Sequence, residues 1–479
     1  MKDQSLALEK QARSRLWQRV IEHVEHYIED ARQAKVAPRL DPERVRAYIS
    51  EADFDEPLDP IEAVDFAARG MWEHQVHVAH PRYFGLFNPT PTAMGIAADA
   101  LAAAFNPQLA AWAHSPFAVE LEQSLIRRFA KEFGFVESES DGTFATGGAE
   151  ANHTAMLTAL VFSFRAFAEK GVRGLERQPT LYVTGESHHS LIKAARACGL
   201  GTDAVRIIET DENLRMNAQA LAARVAEDRA AGFAPFMVAA TAGTTSAGVI
   251  DPLPQIADLA LREKLWLHVD AAWGGAAILV PELRACLDGI ERADSITLDA
   301  HKWLSVPVGA GVYLTRHSGI LGETFRITAD YVPKDADHLA VTDPYAHSIQ
   351  WTRRFIGLKL FLSLAVAGWE GYRAALRHQT EMGDLLRREL EASGWKVINK
   401  TALPVVCFVY GEREEGRTAE FIERVAREVA DEGEAWISAT KVGRGESALR
   451  ACITSYRTAP EDISALIGAL SRARRKIFR

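Results

Sequence analysis

The sequence predicts an α/β fold: a mostly parallel, doubly wound sheet, preceded by a helical arm and followed by a smaller α+β unit. Three observations carry this. Short apolar runs alternate with helical stretches between Thr143 and Thr315. The residues before that region show helical periodicity and no strand pattern. The residues after Glu381 return to a mixture of helices and short apolar strands. At 479 residues the chain exceeds one compact core, because domains usually hold about 100–200 residues. The division expected is an arm over 1–92, a large domain over 93–366 and a small domain over 367–479.

In the arm, Leu16, Val20, Val24 and Ile28 recur every fourth residue, with Trp17, Ile21 and Tyr27 beside them. That spacing marks an amphipathic helix. A second helix is predicted near Pro60–Gln75, with a charged, proline-containing connection over Ala37–Pro57. Such an arm cannot bury its apolar stripe alone; it must lie on the main body or on another subunit, and a second subunit, hence a dimer, is favoured. In the large domain the expected strands are Thr180–Thr184, Val205–Ile208, Phe236–Ala240, Trp266–Val269, Ser295–Leu298 and Gly311–Leu314. Each is largely apolar, as strands covered by helices on both faces are. Sheets of this kind bind ligands at the carboxyl ends of their strands. Ala329–Gln350 is polar, contains Pro333 and Pro344, and reads as a long loop. A helix is expected from Arg354 to about Ala375, and a strand over Pro404–Tyr410.

Composition narrows the function. The chain is 48% hydrophobic and 25% charged, the balance of a globular protein. Its net charge of −9 argues against a nucleic-acid partner. The four cysteines lie far apart, so neither a disulfide framework nor a metal site is suggested. The opening MKDQSLALEKQARSRLW lacks a secretory apolar core, and no apolar run is long enough to span a bilayer. A soluble cytoplasmic protein with no membrane partner is expected.

Five small or polar clusters follow predicted strands or open helices. The sharpest is Ser295-Ile-Thr-Leu-Asp-Ala-His-Lys302, in which a turn after a strand presents a lysine. Partial desolvation there lowers an ammonium pKa and favours the nucleophilic amine. In His268-Val-Asp270-Ala-Ala-Trp-Gly-Gly275 a carboxylate ends an apolar strand, followed by the small Ala272. Thr146-Gly-Gly-Ala-Glu-Ala-Asn152 opens a long helix whose first N–H groups suit a phosphate, which points to Gly148 and Ala149. Ser187-His188-His189-Ser190 places an imidazole at the same edge, and Thr241-Ala-Gly-Thr-Thr245-Ser gathers hydroxyls there. Singly, each is as readily a surface lysine, a helix cap or a polar loop. As a set they are the parts that pyridoxal 5′-phosphate chemistry needs. Those parts are a lysine for the Schiff base, an anion for the pyridine nitrogen, a ring to stack and a phosphate cradle.

These clusters, together with His80-Pro-Arg-Tyr-Phe84, Ser115-Pro116, Glu120-Leu-Glu122, Arg353-Arg354-Phe-Ile-Gly-Leu-Lys359, Leu449-Arg450 and Thr458-Ala-Pro-Glu-Asp462, resemble the group II pyridoxal-phosphate-dependent amino-acid decarboxylases. That family includes the aromatic-L-amino-acid, glutamate and diaminobutyrate decarboxylases, and the resemblance runs over nearly the whole chain. It implies a fold type I architecture with a mostly parallel seven-stranded sheet, and a homodimer with shared active sites. It implies that Lys302 carries the cofactor, Asp270 pairs with its ring nitrogen and His188 stacks on its ring. Ala272 lies against the ring, and Gly148, Ala149, Thr245, Asp299 and His301 match other cofactor-contacting positions. Tyr345 lies near the place where the family carries a mobile catalytic tyrosine. The family often has Ser where Ala149 stands and Tyr where Trp273 stands; the backbone N–H of residue 149 remains.

The implied reaction is decarboxylation of an L-amino acid to its amine. Tyr83, Phe84 and Phe87 fall where the family builds its substrate pocket, and the segment is mainly apolar, which favours an aromatic or apolar substrate unless Arg82 points inward. Oxidative decarboxylation–deamination to an aldehyde is the first rival, and another fold type I reaction such as transamination or lyase chemistry the second. A non-catalytic scaffold is the third.

Overall fold

The computed structural model describes residues 6–39, 41–327, 339–411 and 414–478. Seven strands form the large sheet: β1 (Asp141–Ala145), β2 (Pro179–Thr184), β3 (Val205–Ile208), β4 (Ala234–Thr241), β5 (Trp266–Asp270), β6 (Ser295–Asp299) and β7 (Gly311–Thr315). Their order is β1-β7-β6-β5-β4-β2-β3. Strands β3, β2, β4, β5 and β6 run parallel, and β7 runs antiparallel to both β6 and β1. The six expected strands are present, each within two residues of its expected bounds. The seventh, β1, was not foreseen as a strand. It is five residues long and reads Asp-Gly-Thr-Phe-Ala, with little apolar pattern. Its Gly142 is required by close approach: a Cβ there would lie 2.5 Å from the Tyr313 carbonyl oxygen of β7.

Alternate residues of the strands feed two cores. Leu181, Val183, Met237 and Ala239 face a cluster with Met156 and Leu160 of the helix Gly148–Ser163. Tyr182, Val238 and Ala240 face the other, with Phe129 and Phe133. This double covering is why the strands read as continuous apolar runs rather than alternating ones.

The arm consists of helices Lys10–Asp30 and Pro60–His74, joined through Asp65, which meets Arg19 Nε and His23 Nε2 at 2.6 Å each. No residue of Lys10–Asp30 is buried, and Trp17 and Ile21 are about half exposed. The expected connection Ala37–Pro57 contains a further helix, Pro42–Ile49, started by Pro42 and by the Asp41 side chain accepting from Arg44 N–H. After β7 the loop expected over Ala329–Gln350 is described only from residue 339, and 328–338 lie outside the described residues. The next helix begins at Gly357, three residues later than expected, and extends to Ala392 with a non-helical residue at Gly368 (φ 62°). The late start has a cause. Glu122 Oε1 accepts the N–H groups of Ile356 and Gly357, and Glu122 pairs with Arg353, both side chains being buried.

The remaining strands are β8 (Trp395–Val397), β9 (Val405–Tyr410), β10 (Ser438–Val442) and β11 (Glu446–Cys452). They form an antiparallel sheet in the order β10-β11-β9-β8. Helices Ala419–Glu432 and Pro460–Ile477 pack with it. No described helix is long and apolar enough to cross a membrane.

Candidate active site

Parallel strands put their carboxyl ends on one edge, and the predicted clusters follow those ends. β5 ends in Asp270, which is 4% exposed. Its Oδ1 accepts from Ala272 N–H (3.1 Å) and its Oδ2 from the Asn152 amide (2.8 Å). β6 ends in Asp299, and the turn after it returns Lys302 so that Nζ lies 2.8 Å from Asp299 Oδ2. Asp299 N–H donates to the Ala272 carbonyl at 2.7 Å, which ties the two strand ends together. The other oxygen, Asp299 Oδ1, is buried with no protein partner. His301 Nδ1 accepts from Ala310 N–H at 3.1 Å, and burial lowers its pKa.

The helix Gly148–Ser163 opens beside these groups without a side-chain cap. Glu150 holds the outer side of that start, accepting from Thr146 N–H (3.0 Å), Thr146 Oγ1 (2.6 Å) and Gln350 Nε2 (2.6 Å). A Cβ at Gly148 would lie 2.9 Å from Asp299 Oδ2 and 3.3 Å from Ala272 Cβ. A Cβ at Gly147 would lie 3.3 Å from His301. The glycines therefore keep open a cradle between a helix N-terminus and the Lys302 turn. Helix N-termini favour phosphate. The uncapped start and the glycine-lined cradle fit a phosphate-bearing compound.

His188 follows β2. Its Nδ1 lies 2.8 Å from Ser190 Oγ, and Ser190 N–H points at the same nitrogen (3.3 Å). The residue is exposed overall, but enough of the ring is desolvated to lower its pKa, against the opposing attraction of Asp270. Thr245 lies on the loop after β4 and lends its carbonyl to Arg450 Nη1 at 2.5 Å. Phe87 stacks on Trp273 (4.6 Å between centroids, 23°), the residue after Ala272. Tyr83 stacks on Trp436 (5.3 Å, 22°). Phe84 is fully buried in the core and presents no surface to a ligand, which removes it from the expected substrate pocket. Tyr345 sits half-buried on the short turn Pro344–Ala346, with its N–H on the Ala110 carbonyl (3.0 Å) and its ring against Trp351 (5.0 Å).

Sequence reasoning missed the residues that join these parts. Asn152 links Asp270 to Ser190, and Arg450 links Gly85, Thr245 and Ser438. Asn152 had a legible signal: it lies four residues after Gly148, a carboxamide on the buried face of an alanine-rich helix. Arg450 had none, because its partners come from distant segments.

Residues 42–411 match the family described as the pyridoxal-dependent decarboxylase conserved domain. The chain is 32% identical over 449 residues to an aromatic-L-amino-acid decarboxylase of Bacillus atrophaeus, covering 93% of this chain and 91% of that one. It is also 32% identical over 340 residues to the acidic amino acid decarboxylase GADL1 of Bos taurus, covering 70% and 65%. The crystal structure of mouse CSAD superposes with a TM-score of 0.90 at 26% identity, over 97% of this chain and 99% of that chain. With the lysine, carboxylate, imidazole and glycine-lined helix start at one sheet edge, the chain belongs to the pyridoxal-dependent decarboxylase family and is a pyridoxal-phosphate-dependent amino-acid decarboxylase.

Proposed function

We propose that this enzyme converts an L-amino acid with an aromatic or apolar side chain into the corresponding amine. The observation that supports it is the state of the arginines nearest the apolar segment at Tyr83–Phe87. Arg82 Nε is paired with the buried Asp462 at 3.0 Å. Arg450 is occupied by the Thr245 and Gly85 carbonyls and by Ser438. Both guanidiniums are thus engaged by protein groups, Arg450 also lying over the Phe87 ring (5.9 Å), and the segment beside them is aromatic, Phe87 stacking on Trp273.

Lys302 would hold the cofactor through Nζ, Asp270 would pair with its ring nitrogen and His188 would lie on its ring. Gly148 and Ala149 would receive its phosphate, with Ala272, Thr245, Asp299 and His301 around it. When bound, pyridoxal phosphate supplies an electron sink for the pair released as the Cα–carboxylate bond breaks. The protein's own groups do the rest. Asp270 stays an acceptor because both its oxygens already take N–H donors. His188 presents a neutral ring, its pKa lowered by desolvation. Asp299 holds the Lys302 amine at the sheet edge. The Tyr345 hydroxyl donates the proton that replaces carbon dioxide at Cα.

The test is a panel of the twenty amino acids, assayed together for carbon dioxide, amine and hydrogen peroxide. An aromatic or apolar substrate giving amine without peroxide is expected. Glutamate or aspartate with the highest kcat/KM would overturn the substrate class, and peroxide with aldehyde would replace decarboxylation alone by its oxidative variant.

Three lesser readings accompany this one. The exposed Trp17 and Ile21 on the arm support a homodimer with shared active sites, and a fully active monomer in sedimentation would contradict it. The four cysteines are free, in keeping with a reducing cytoplasm. The break at Gly368 supports a boundary between large and small domains near residue 366.

A further inference from the structure

Asn152 lies at the centre of a buried hydrogen-bond network. It is 1% exposed. A carboxamide has two N–H donors and one oxygen with two acceptor sites, and all four are used here. Nδ2 donates to Asp270 Oδ2 and to Ser190 Oγ, each at 2.8 Å. Oδ1 accepts from Thr297 Oγ1 (2.7 Å) and meets His268 Nε2 (3.1 Å).

The orientation of the Asn152 amide fixes the direction of its bonds. Turned over, the amide would set its oxygen against the Asp270 carboxylate, so the NH₂ group must face Asp270. On the far side, the Trp266 indole can only donate, and it donates to Ser295 Oγ at 2.8 Å. Ser295 Oγ also meets His268 Nδ1 at 2.9 Å. Because Asn152 Oδ1 can only accept, the neutral His268 carries its proton on Nε2 and gives it to that oxygen, which leaves Nδ1 to accept from Ser295. On the near side, Ser190 Oγ accepts from Asn152 and has its own hydrogen free for His188 Nδ1, 2.8 Å away. Ser190 N–H converges on that same nitrogen. With two donors aimed at Nδ1, His188 is neutral with its proton on Nε2.

We propose that Asn152 and Ser190 are positioning residues that lock Asp270 as a hydrogen-bond acceptor and His188 as its neutral Nε2–H tautomer. The benefit is electrostatic. A ring whose nitrogen is paired with Asp270 is positively charged, and a second cation stacked on it would be repelled. The charges facing His188 are Asp270, Lys302, His189 and Asp299, so its protonation is open to influence from several sides. Two donors at Nδ1 close the nitrogen that would otherwise take the extra proton.

This inference rests on the assignment of Asp270 and His188 to the cofactor ring, and the experiment separates the two. Holoenzyme absorbance is titrated against pH for wild type and for Asn152→Ala, Asn152→Asp, Ser190→Ala and Asp270→Ala. Cofactor affinity after apoenzyme reconstitution, kcat, KM and the melting midpoint are read in parallel. In Asn152→Ala the bound-cofactor titration should move by about one pH unit, which corresponds to the loss of one ordinary hydrogen bond. Its kcat should fall about tenfold or more, with KM within about threefold. Ser190→Ala should show the same shift with a smaller loss, because its N–H remains on Nδ1. Asn152→Asp, nearly the same in volume, should shift the titration further, because it sets a carboxylate against Asp270.

If Asn152→Ala and Ser190→Ala melt earlier but keep the wild-type titration and kcat when folded, the network is merely structural and the proposal fails. Should Asn152→Ala not fold, Ser190→Ala with a wild-type titration overturns it alone. If Asp270→Ala also keeps the wild-type titration, the ring assignment itself fails.

Discussion

Gly148→Ala tests the phosphate cradle with a single methyl group. Gly148 is not among the residues with positive φ, so alanine meets no backbone penalty. In helix propensity alanine is no worse than glycine. The cost is steric. The new Cβ would stand 2.9 Å from Asp299 Oδ2 and 3.3 Å from Ala272 Cβ, closer than the roughly 3.5–4.0 Å of an ordinary contact. Asp299 has little room to retreat, because its carboxylate is held by Lys302 and its N–H by the Ala272 carbonyl. The helix start must therefore move outward by a few tenths of an ångström, lengthening the N–H contacts offered to phosphate. A hydrogen bond to a charged group contributes about 1.5–3 kcal/mol, so losing one weakens cofactor affinity about 10- to 150-fold. The assay is reconstitution of apoenzyme followed by absorbance, with the apoprotein melting midpoint as control. A Kd within about twofold of wild type would refute the placement of phosphate at this helix start.

Lys302→Ala should leave no cofactor that borohydride can fix to the protein, and should abolish turnover; normal turnover would remove Lys302 from the mechanism. Tyr345→Phe should divert product from amine towards aldehyde and hydrogen peroxide. Tyr331, outside the described residues, is the control: diversion in Tyr331→Phe alone would show that the proton donor had been misassigned. Stability should depend on pH through His268 and His80, whose folded pKa values burial lowers to about 4 from 6.5. Between those values the unfolded chain binds the extra protons, so the contribution of these two groups is constant above about pH 6.5 and falls as pH drops through the window. Each histidine should remove about 2 kcal/mol by about pH 5, and denaturant unfolding at that pH and at about 7.5 measures it. A wild-type protein equally stable at both would contradict the burial of neutral imidazoles.

The parts of the site were legible because they obey local rules. An apolar run followed by Asp270 or Lys302, and a glycine pair before a helix, follow from strand burial and turn chemistry a few residues long. The strands themselves were legible for the same reason, being covered on both faces. β1 was not, since five residues with Gly142 and Thr143 among them carry little pattern. Its identity as a strand comes from β7 and the close approach that Gly142 permits. The connection Ala37–Pro57 hid the short helix Pro42–Ile49, whose length is set by a cap rather than by periodicity.

Where the reading needed partners, sequence was silent. Arg82 could have faced a substrate, and it is the buried Asp462, 380 residues away, that turns it aside. Arg450 gathers Gly85, Thr245 and Ser438 from three separate segments. The start of the helix at Gly357 depends on Glu122 from another helix. Residue order thus settled the chemistry, since lysine, carboxylate, imidazole and glycine pair each sit where their own strand or helix ends. Chain closure settled which of those groups touch and which partners hold Arg82 and Arg450. Those are properties of hydrogen-bond donors and acceptors brought together from opposite ends of the chain, and no local pattern records them.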